Sequence, residues 1–390
     1  MKNIDHESIN QLILQKQHLT QESKKDDLVQ LVKDLCGLQA TGTFEPYLYL
    51  FCRKNEFTKE ELDNQLYGLK SLIKIRAMRN TLFIVPVEYA PMMHTATKYL
   101  KENRFDGFFT YTDFTREEYY DLESKIHHVL AKDSLIATEI KKQIDTSRNI
   151  SIIISLMCDK LLLVRDQPPK GWKDRRNTYT LMKNNYPNLD FEEIEEQEAI
   201  NNLISNYIDS YGPVTEDDIA WWAGLTKTST RNALKFDENS INRFSISDSE
   251  YIVPNADLEK VEQLKSPKSP IITLLANLDP YLMGYKNRER CVDPDIYEFV
   301  FDRSGNATTT ILLNGEVIGI WDFETKPKPK VKFLLFNQVN NEILNEIKRQ
   351  VKTLGQFILE QEVQIQQCKN PLPLTKRSAG TFMRPLKNCT

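Results

Sequence analysis

The basic side chains of this sequence, several of which stand near aromatic ones, give the first indication of its chemistry. They cluster in four segments, although the chain as a whole is slightly acidic, with 51 Lys and Arg against 55 Asp and Glu. Lys and Arg bind phosphate oxygens, and neighbouring aromatic side chains can stack on bases or insert between base steps. The clusters therefore predict contact with nucleic acid.

Each cluster is defined by a short range. The range 65–87 contains no acid and holds Lys70, Lys74, Arg76 and Arg79. The range 170–176 combines Trp172 with Lys173, Arg175 and Arg176. The third range contains Tyr285, Lys286, Arg288 and Arg290, and the fourth is the C-terminal tail, which has five bases and no acid after Glu362. Because charge runs are usually solvated faces, a surface without any ligand is the alternative for each cluster.

Several familiar catalytic motifs are missing. The 13 glycines form no phosphate-binding loop, dinucleotide fingerprint or nucleophile elbow, and the five histidines form no HExxH. The six cysteines lack the spacing of zinc ligands, and we expect them to be reduced. The sequence therefore predicts a function without a metal or a cofactor.

Composition and length indicate an ordinary globular protein. The chain has 390 residues, of which 40% are hydrophobic, and at about 150 residues per domain this suggests two to three domains. The N-terminal residues do not resemble a signal peptide, and the longest apolar run, at 152–157, is far too short to span a membrane. We expect a cytoplasmic protein without membrane contact.

A repeated order of elements runs along the first two thirds of the chain. It is clearest from residue 211, where Thr215 is a good helix N-cap and Gly224 is placed to end that helix. A polar turn, a second helix and two strand candidates, 243–246 and 250–253, follow. Helix, turn, helix and hairpin in this order are typical of a winged helix.

The same order occurs twice more. A short helix at 135–144, a turn, an apolar helix and a strand at 161–165 form one copy. At the N-terminus, an amphipathic helix at 28–35, a capping box at Thr58 and a hairpin at 71–85 form another. The sequence therefore predicts three tandem winged-helix units.

The pattern changes after about residue 270. Asn314-Gly315 between two apolar runs, 308–313 and 316–321, is one of the strongest hairpin signals a sequence offers. With two further strand candidates it predicts a small β-barrel or sheet, and a long amphipathic helix at 341–361 follows.

The predicted fold is therefore α+β. The predicted units are winged-helix unit 1 at 1–105, winged-helix unit 2 with a basic linker at 106–190, winged-helix unit 3 at 191–256, a β-barrel or sheet at 257–340, and a C-terminal helix with a basic tail at 341–390.

Three groups of residues, in this order, resemble the AlkZ and YcaQ family of bacterial DNA glycosylases. They are Gly37-Leu38-Gln39-Ala40 with the distant Met78-Arg79-Asn80-Thr81-Leu82, then Tyr211 to Leu225, then Leu278 to Tyr285 with the strand from Gly315 to Trp321. Together they cover roughly residues 10 to 360. The resemblance implies winged helices and a β-barrel around a channel for duplex DNA.

The resemblance also implies a reaction. Family members hydrolyse the N-glycosidic bond of alkylated purines, including some interstrand crosslinks, without a metal or cofactor. They use a Gln, an aliphatic residue and then Gln or Asp, and this pattern aligns with Gln39-Ala40-Thr41. An N7-alkylpurine is a cationic leaving group, so an amide that positions water suits the reaction. The implied catalytic residues are Gln39 and Thr41.

Thr41 departs from the family pattern. Its hydroxyl has a shorter reach than Gln and cannot act as a base at neutral pH, and losing one well-placed group typically costs on the order of 10²–10³ in rate. Glu45 reaches the same place if the loop folds back, or else it is simply an acid at a helix N-terminus beside Pro46. Gln39 has an alternative too, as a cap at the end of the preceding helix.

Three hypotheses about function follow. The first is a monomeric glycosylase that binds alkylated or crosslinked double-stranded DNA in the cytoplasm, associated with the nucleoid. The second is a DNA-binding regulator or architectural protein that releases no base. In the third, the winged helices bind other proteins, which the acidic total permits. We expect Arg79→Ala to weaken DNA binding equally on all sequences and to flatten its salt dependence.

Overall fold

Helices and short strands alternate along the chain in the computed structural model, which describes residues 4–191, 194–246, 248–264, 267, 269–374 and 386. The helices are α1 His6–Lys16, α2 Leu28–Asp34, α3 Glu45–Arg53, α4 Lys59–Asp63, α5 Ala90–Ala96, α6 Lys98–Tyr111, α7 Arg116–Val129, α8 Ala137–Gln143, α9 Ser151–Asp159, α10 Met182–Asn185, α11 Glu196–Tyr211, α12 Glu216–Ala223, α13 Lys227–Phe236, α14 Asn255–Gln263, α15 Pro280–Met283, α16 Tyr297–Val300 and α17 Asn341–Leu359. The strands are β1 Leu38–Gln39, β2 Leu72–Arg76, β3 Leu82–Pro86, β4 Leu135–Ile136, β5 Leu163–Asp166, β6 Thr178–Leu181, β7 Ile241–Ile246, β8 Ser249–Pro254, β9 Ile272–Leu275, β10 Thr310–Leu313, β11 Glu316–Glu324, β12 Lys330–Leu335 and β13 Gln364–Gln367.

This mixture of helices and separate small sheets confirms the predicted α+β class. Within the described ranges, no helix combines the length and the apolar character needed to cross a bilayer.

The N-terminal group contains a sheet with the strand order β1-β3-β2, in which β2 and β3 form the predicted hairpin. Asp27 caps α2, and Cys36 and Gly37, both with positive φ, turn the chain from the end of α2 into β1. The backbone N–H of Gly37 donates to the carbonyl oxygen of Val32 (2.9 Å), which closes the helix end. A Cβ on Gly37 would lie 3.2 Å from the carbonyl oxygen of Ile84, so glycine allows β1 to lie close against β3.

The second group is a sheet with the order β4-β6-β5 beside helices α7, α8 and α9. The helix predicted from residue 135 begins at Ala137, because residues 135–136 pair with β6 as strand β4. The group has a core of its own, built from buried residues between 108 and 181. Residues 167–177 connect β5 to β6, and we call them the β5–β6 loop.

The third group follows the predicted order closely. Thr215 and Asp218 form a capping box at the start of α12, in which each backbone N–H donates to the other residue's side chain (2.9 and 3.1 Å). Gly224 ends the helix with a φ of 76°, and α13 and the hairpin β7–β8 follow. Trp222 is buried against Tyr207 of α11, with ring centroids 4.5 Å apart.

The C-terminal sheet has five strands in the order β13-β12-β11-β10-β9. Asn314 and Gly315 form the predicted turn between β10 and β11, with φ values of 51° and 90° that suit a two-residue hairpin. Of the two predicted alternatives, the strands described here form an open sheet and not a closed barrel, since β9 and β13 each pair along one edge. The predicted long helix is α17, which buries Val351, Leu354 and Ile358 in one core with this sheet.

The expectation that all six cysteines are reduced is wrong for Cys368. Cys36, Cys52, Cys158 and Cys291 are free thiols, but Cys368 is disulfide-bonded. The physical reason is a contact between distant residues, since Leu386 shares a small core with Cys368 and two residues of the C-terminal sheet, and the spacing of the cysteines does not show this contact. Of the predicted basic tail, Lys376, Arg377, Arg384 and Lys387 lie outside the described residues.

Candidate active site and nucleic-acid interface

Gln39 is positioned by the edge of the N-terminal sheet. It is the last residue of β1 and pairs with Phe83 of β3, and the next backbone N–H, of Ala40, donates to the carbonyl oxygen of Leu82 (2.7 Å). The side chain is 7% exposed, and its amide makes no hydrogen bond with any residue in the described part of the chain. Backbone groups close the end of α2, so Gln39 is not the cap of that helix. Its amide is therefore available to a ligand.

The chain between β1 and α3, residues 40–44, forms what we call the site loop. Thr41 is exposed at its start, and its hydroxyl has no hydrogen-bond partner among the described residues. The structure thus brings both predicted catalytic residues to one place, Gln39 at the rim of the sheet and Thr41 two residues further, in solvent.

Glu45 folds back onto this loop. It is the first residue of α3, as one alternative had it, but its side chain is only 3% exposed and its Oε2 has no hydrogen-bond partner among the described residues. Its carboxylate lies so close to Gly42 that a Cβ at residue 42 would overlap Oε2. Glu45 therefore begins the helix, and its carboxylate also lies against the site loop at Gly42.

Burial dominates the electrostatics of Glu45. Loss of water raises the pKa of its carboxyl, while the backbone N–H groups of Glu45 and Phe44 and the positive charge of Arg175 act in the opposite direction. A buried carboxyl with a raised pKa holds a proton more readily than an exposed one. It can therefore accept a proton during a reaction and release it afterwards.

Aromatic side chains bring two other parts of the molecule to the site loop. The ring of Phe44 lies 6.3 Å from Trp172 in the β5–β6 loop and 6.0 Å from Phe323 near the end of β11. Trp172 also contacts Tyr47 of α3 (5.3 Å), and its Nε1 donates to Glu360 (3.2 Å) after α17. The site loop therefore lies between the second group and the C-terminal sheet.

The predicted bases of the β5–β6 loop are exposed. Lys173 lies 3.4 Å from Glu360, and Arg176 forms a two-pronged contact with Asp174 (2.7 and 3.0 Å). Arg175 is exposed as well, and its charge reaches Glu45. These three bases therefore face water beside the site loop.

A second exposed basic segment was not among the sequence-based candidates. The turn between β11 and β12, residues 325–329, exposes Lys326 and Lys328 and follows Phe323 by two residues. The signal is present in the sequence, since Lys-Pro-Lys-Pro-Lys at 326–330 is followed by no acid before Glu342. We call this segment the β11–β12 turn.

The bases of the first hairpin, β2–β3, have partners within the protein. The Nζ of Lys74 donates to the hydroxyl of Tyr67 (3.1 Å), and burial, together with the charge of Arg165, lowers the pKa of Lys74 to about 8. Arg76 pairs with the buried Asp159 (2.8 Å).

Arg79 at the tip of this hairpin lies 4.0 Å above the ring of Trp221. Burial, and then the charge of Arg288, lowers the pKa of Arg79 to about 10. The contact attaches the tip of the first hairpin to the third group of elements, so the tip is not free in solvent.

The predicted loop at 285–290 is also mostly interior. Tyr285 is buried, and its hydroxyl donates to the carbonyl oxygen of Tyr211 (2.7 Å). Arg288 donates to the carbonyl oxygens of two neighbouring segments, and Arg290 donates to Asn10 (2.5 Å). Lys286 is exposed and pairs with Asp217 (3.0 Å). DNA contact by these residues stays a prediction.

Metal chemistry has no ready-made site in the described ranges. They contain no group of three or more His, Cys, Asp or Glu side chains placed to hold an ion.

Comparisons with known proteins cover nearly the whole chain. A family model described as DNA glycosylase AlkZ-like matches residues 32–357. A protein of Streptomyces sahachiroi described as an interstrand DNA cross-link repair glycosylase is 24% identical over an alignment of 331 residues, which covers 78% of this chain and 83% of that protein. The solved structure of Streptomyces sahachiroi DNA glycosylase AlkZ has a TM-score of 0.73 at 18% identity, covering 94% of this chain and 100% of that chain.

The structural likeness shows a shared fold, and the family match extends over most of the sequence. The resemblance predicted from the three groups of residues is therefore confirmed. The chain belongs to the AlkZ-like family of DNA glycosylases.

Proposed function

We propose that this chain hydrolyses the N-glycosidic bond of N7-alkylated purines in double-stranded DNA, including purines joined in an interstrand crosslink. Membership of the family and the description of the Streptomyces relative support this substrate class. The single observation that carries the proposal is the amide of Gln39, which lies at the rim of the sheet without a hydrogen-bond partner in the described part of the chain.

The chemistry fits an amide. Alkylation at N7 makes the purine cationic, so the base leaves without a strong acid, and the remaining task is to deliver water to C1′ of the sugar. The carbonyl oxygen of Gln39 accepts a hydrogen bond from that water without ionising. In this proposal the exposed hydroxyl of Thr41 accepts a second hydrogen bond from the same water, and neither residue needs a metal or cofactor.

The DNA backbone contacts the exposed bases around the site loop. Lys286, an exposed base that pairs with Asp217 of α12, is a further proposed contact. The bases around the site loop are Lys173, Arg175 and Arg176 of the β5–β6 loop and Lys326 and Lys328 of the β11–β12 turn. These segments flank the site loop through the rings that meet at Phe44, so a duplex held between them presents a base to Gln39.

The bases in the interior of the protein stabilise the segments behind this interface. Lys74, Arg76, Arg79, Arg288 and Arg290, with Tyr285, hold the first hairpin and the 285–290 loop in place. The charge of Arg76 is matched by Asp159, whereas the charges of the other four bases add to the positive potential at the interface. Positive potential acts on phosphates at a distance, although salt screens it over about 10 Å.

The proposed architecture has three winged-helix units at 1–105, 106–190 and 191–256, the C-terminal sheet at 257–340, and the helix and tail at 341–390. Each of the three helical groups ends in a hairpin, which supports this division. The protein acts as a monomer on DNA in the cytoplasm, associated with the nucleoid.

The test is base release from a duplex that carries one N7-methylguanine, and separately from a duplex with an N7-linked crosslink. Heat-labile abasic sites formed by the wild type at least about 10²-fold faster than by Gln39→Ala support the proposal, since a positioned polar group contributes a factor of this size. The matched control is Gln11→Ala, because Gln11 is equally buried but lies on α1. It should retain wild-type activity.

Tight, salt-sensitive DNA binding without base release from either substrate would contradict the catalytic proposal for these lesions. Equal activity of Gln39→Ala and the wild type would remove Gln39 from the site while leaving the glycosylase assignment in place.

A further inference from the structure

The carboxylate of Glu45 is a buried acid with one oxygen unused by the protein. Its side chain is 3% exposed, and Oε2 has no hydrogen-bond partner among the residues that the structure describes. Burial of a polar group without a hydrogen-bond partner lowers the stability of the fold more than burial of one that is hydrogen-bonded. Such a cost is common where the group serves a ligand.

Three other acids, each bonded to a residue of α3 or to Trp172, have partners of their own. Asp63 accepts a hydrogen bond from the hydroxyl of Tyr47 (2.5 Å), and Asp279 forms a two-pronged ion pair with the buried Arg53 (2.6 and 2.9 Å). Glu360 accepts from Trp172 (3.2 Å). Among these four carboxylates, that of Glu45 alone has an unsatisfied buried oxygen.

The backbone around Glu45 is shaped to admit its carboxylate. Gly42 lies against Oε2, and any side chain at residue 42 would displace the carboxylate from the site loop. Pro46 follows Glu45 within the first turn of α3, where proline is well accommodated. The helix start and the glycine together hold the carboxylate against the site loop, which directly follows Gln39.

We propose that Glu45 is a catalytic residue of this glycosylase, the base that takes a proton from the water held by Gln39. The inference rests on the function proposed above and adds the proton acceptor which that function lacks. The exposed hydroxyl of Thr41 can hold water but cannot take up its proton at neutral pH.

The step balances in atoms and electrons. One O–H bond of water breaks, and its proton moves to the carboxylate of Glu45 while the water oxygen bonds to C1′ of the sugar. The bond between C1′ and N9 breaks, and its electron pair stays on N9, which neutralises the cationic base. The products are the neutral alkylpurine, an abasic site with a hydroxyl at C1′, and protonated Glu45, which returns its proton to solvent.

The groups that face Glu45 support this assignment. The hydroxyl of Tyr49, one turn along α3, donates to the carbonyl oxygen of Asn277 (2.7 Å), so it does not donate to the carboxylate of Glu45. Arg175 of the β5–β6 loop favours the ionised form that a base requires. A duplex that covers the β5–β6 loop also excludes water, which strengthens every charge interaction at the site.

The experiment measures single-turnover base release from the N7-methylguanine duplex by the wild type, Glu45→Gln and Glu45→Asp between pH 5 and 9. We expect Glu45→Gln to be about 10²-fold slower or more, with unchanged Kd for DNA, and Glu45→Asp to recover part of the rate. The wild-type rate should rise with pH as Glu45 ionises, and this rise should be lost in Glu45→Gln.

A second variant keeps the acid and moves it. Gly42→Ala displaces the carboxylate, so we expect a loss of rate similar to that of Glu45→Gln with retained DNA binding. Gly107→Ala is the matched control, because a Cβ at residue 107 on α6 meets nothing closer than 3.9 Å. This pair tests the position of Glu45 even if Glu45→Gln folds poorly.

The outcomes separate the two proposals. A wild type that releases no base overturns the proposed function. A wild type that releases base, with Glu45→Gln within about threefold of its rate and an unchanged pH profile, overturns only the role of Glu45.

Discussion

Two hairpins of this molecule carry similar basic residues, but these residues lie in opposite environments. In the β2–β3 hairpin, Arg76 pairs with the buried Asp159 and Arg79 lies above Trp221. In the β5–β6 hairpin, Lys173 and Arg175 are exposed beside the site loop. The first hairpin uses its charges to join parts of the protein, while the second presents them to solvent.

The difference comes from what surrounds each hairpin. The first lies between helix α9 of the second group and the end of α12, where Gly224 is so close that a Cβ would lie 3.2 Å from the backbone nitrogen of Arg79. The loop of the second hairpin is held mainly by the ring of Trp172, so the charged side chains beside it remain in water. A basic cluster in a sequence is therefore accessible to DNA only where the fold leaves its flanks open.

The largest expected effect comes from removing the acid that holds the first hairpin. Asp159 also binds Arg104 of α6, and its side chain is 3% exposed. We expect Asp159→Ala to lower the free energy of unfolding by about 3–5 kcal/mol, because two arginines lose their buried partner. Urea denaturation followed by circular dichroism measures this.

The control for Asp159 is an exposed acid bound to a single arginine. Asp113 pairs with Arg148 (2.7 Å) and its side chain is 79% exposed, so Asp113→Ala should change stability far less. If Asp159→Ala changed stability as little as Asp113→Ala and also tightened DNA binding, Arg76 would bind DNA once it is released from Asp159. The contrast between the hairpins would then fail.

The next largest effect concerns the second hairpin. We expect Lys173→Ala/Arg175→Ala to weaken DNA binding on the order of tenfold at 0.1 M salt and to lower the slope of log Kd against log salt by about two, since each phosphate contact contributes about 0.9. Stability should not change. Fluorescence anisotropy with a labelled duplex at several salt concentrations measures both quantities.

Arg79→Ala, measured in the same assay, tests the contrast directly. Arg79 contributes potential from a position above Trp221, so we expect a smaller fall in slope than one exposed base produces. A full unit of slope for Arg79 would place both hairpins on the DNA. An unchanged slope would remove Arg79 from the interface.

Local structure is what the sequence predicts best here. The capping box at Thr58, the helix N-cap at Thr215 and the turn at Asn314-Gly315 depend on residues within three or four positions, and the structure contains all of them. The same locality explains the predicted hairpin at residues 71–85, whose strands are joined by a short turn.

Side-chain environment depends on distant partners, and the sequence shows it poorly. Arg76 and Asp159 are 83 positions apart, so the sequence cannot show that the charge of Arg76 is already matched. For the site, the sequence resemblance leads to Gln39, but the enclosure of Glu45 arises from the close approach of its carboxylate to Gly42 of the site loop. The short signal for it, a glycine three residues before the acid, is too common to be informative by itself.

The smallest expected effect is a pH dependence of stability that Lys74 contributes. Burial lowers the pKa of Lys74 from 10.5 to about 8, so between these values the unfolded chain binds a proton that the folded chain does not. Stability therefore rises with pH across this range, because the folded protein no longer holds a buried charge. The burial of Lys101, whose pKa is lowered to about 7, acts in the same direction.

Lys74→Met should therefore reduce, but not abolish, the gain in unfolding free energy between pH 7 and pH 9.5, by on the order of 1 kcal/mol. Lys74→Arg is the informative control, because it keeps a charge at this position at every pH and should lose the gain while also lowering stability. A gain unaltered in both variants would mean that Lys74 is as well hydrated as a base on the second hairpin. The two hairpins would then differ in their partners but not in their burial.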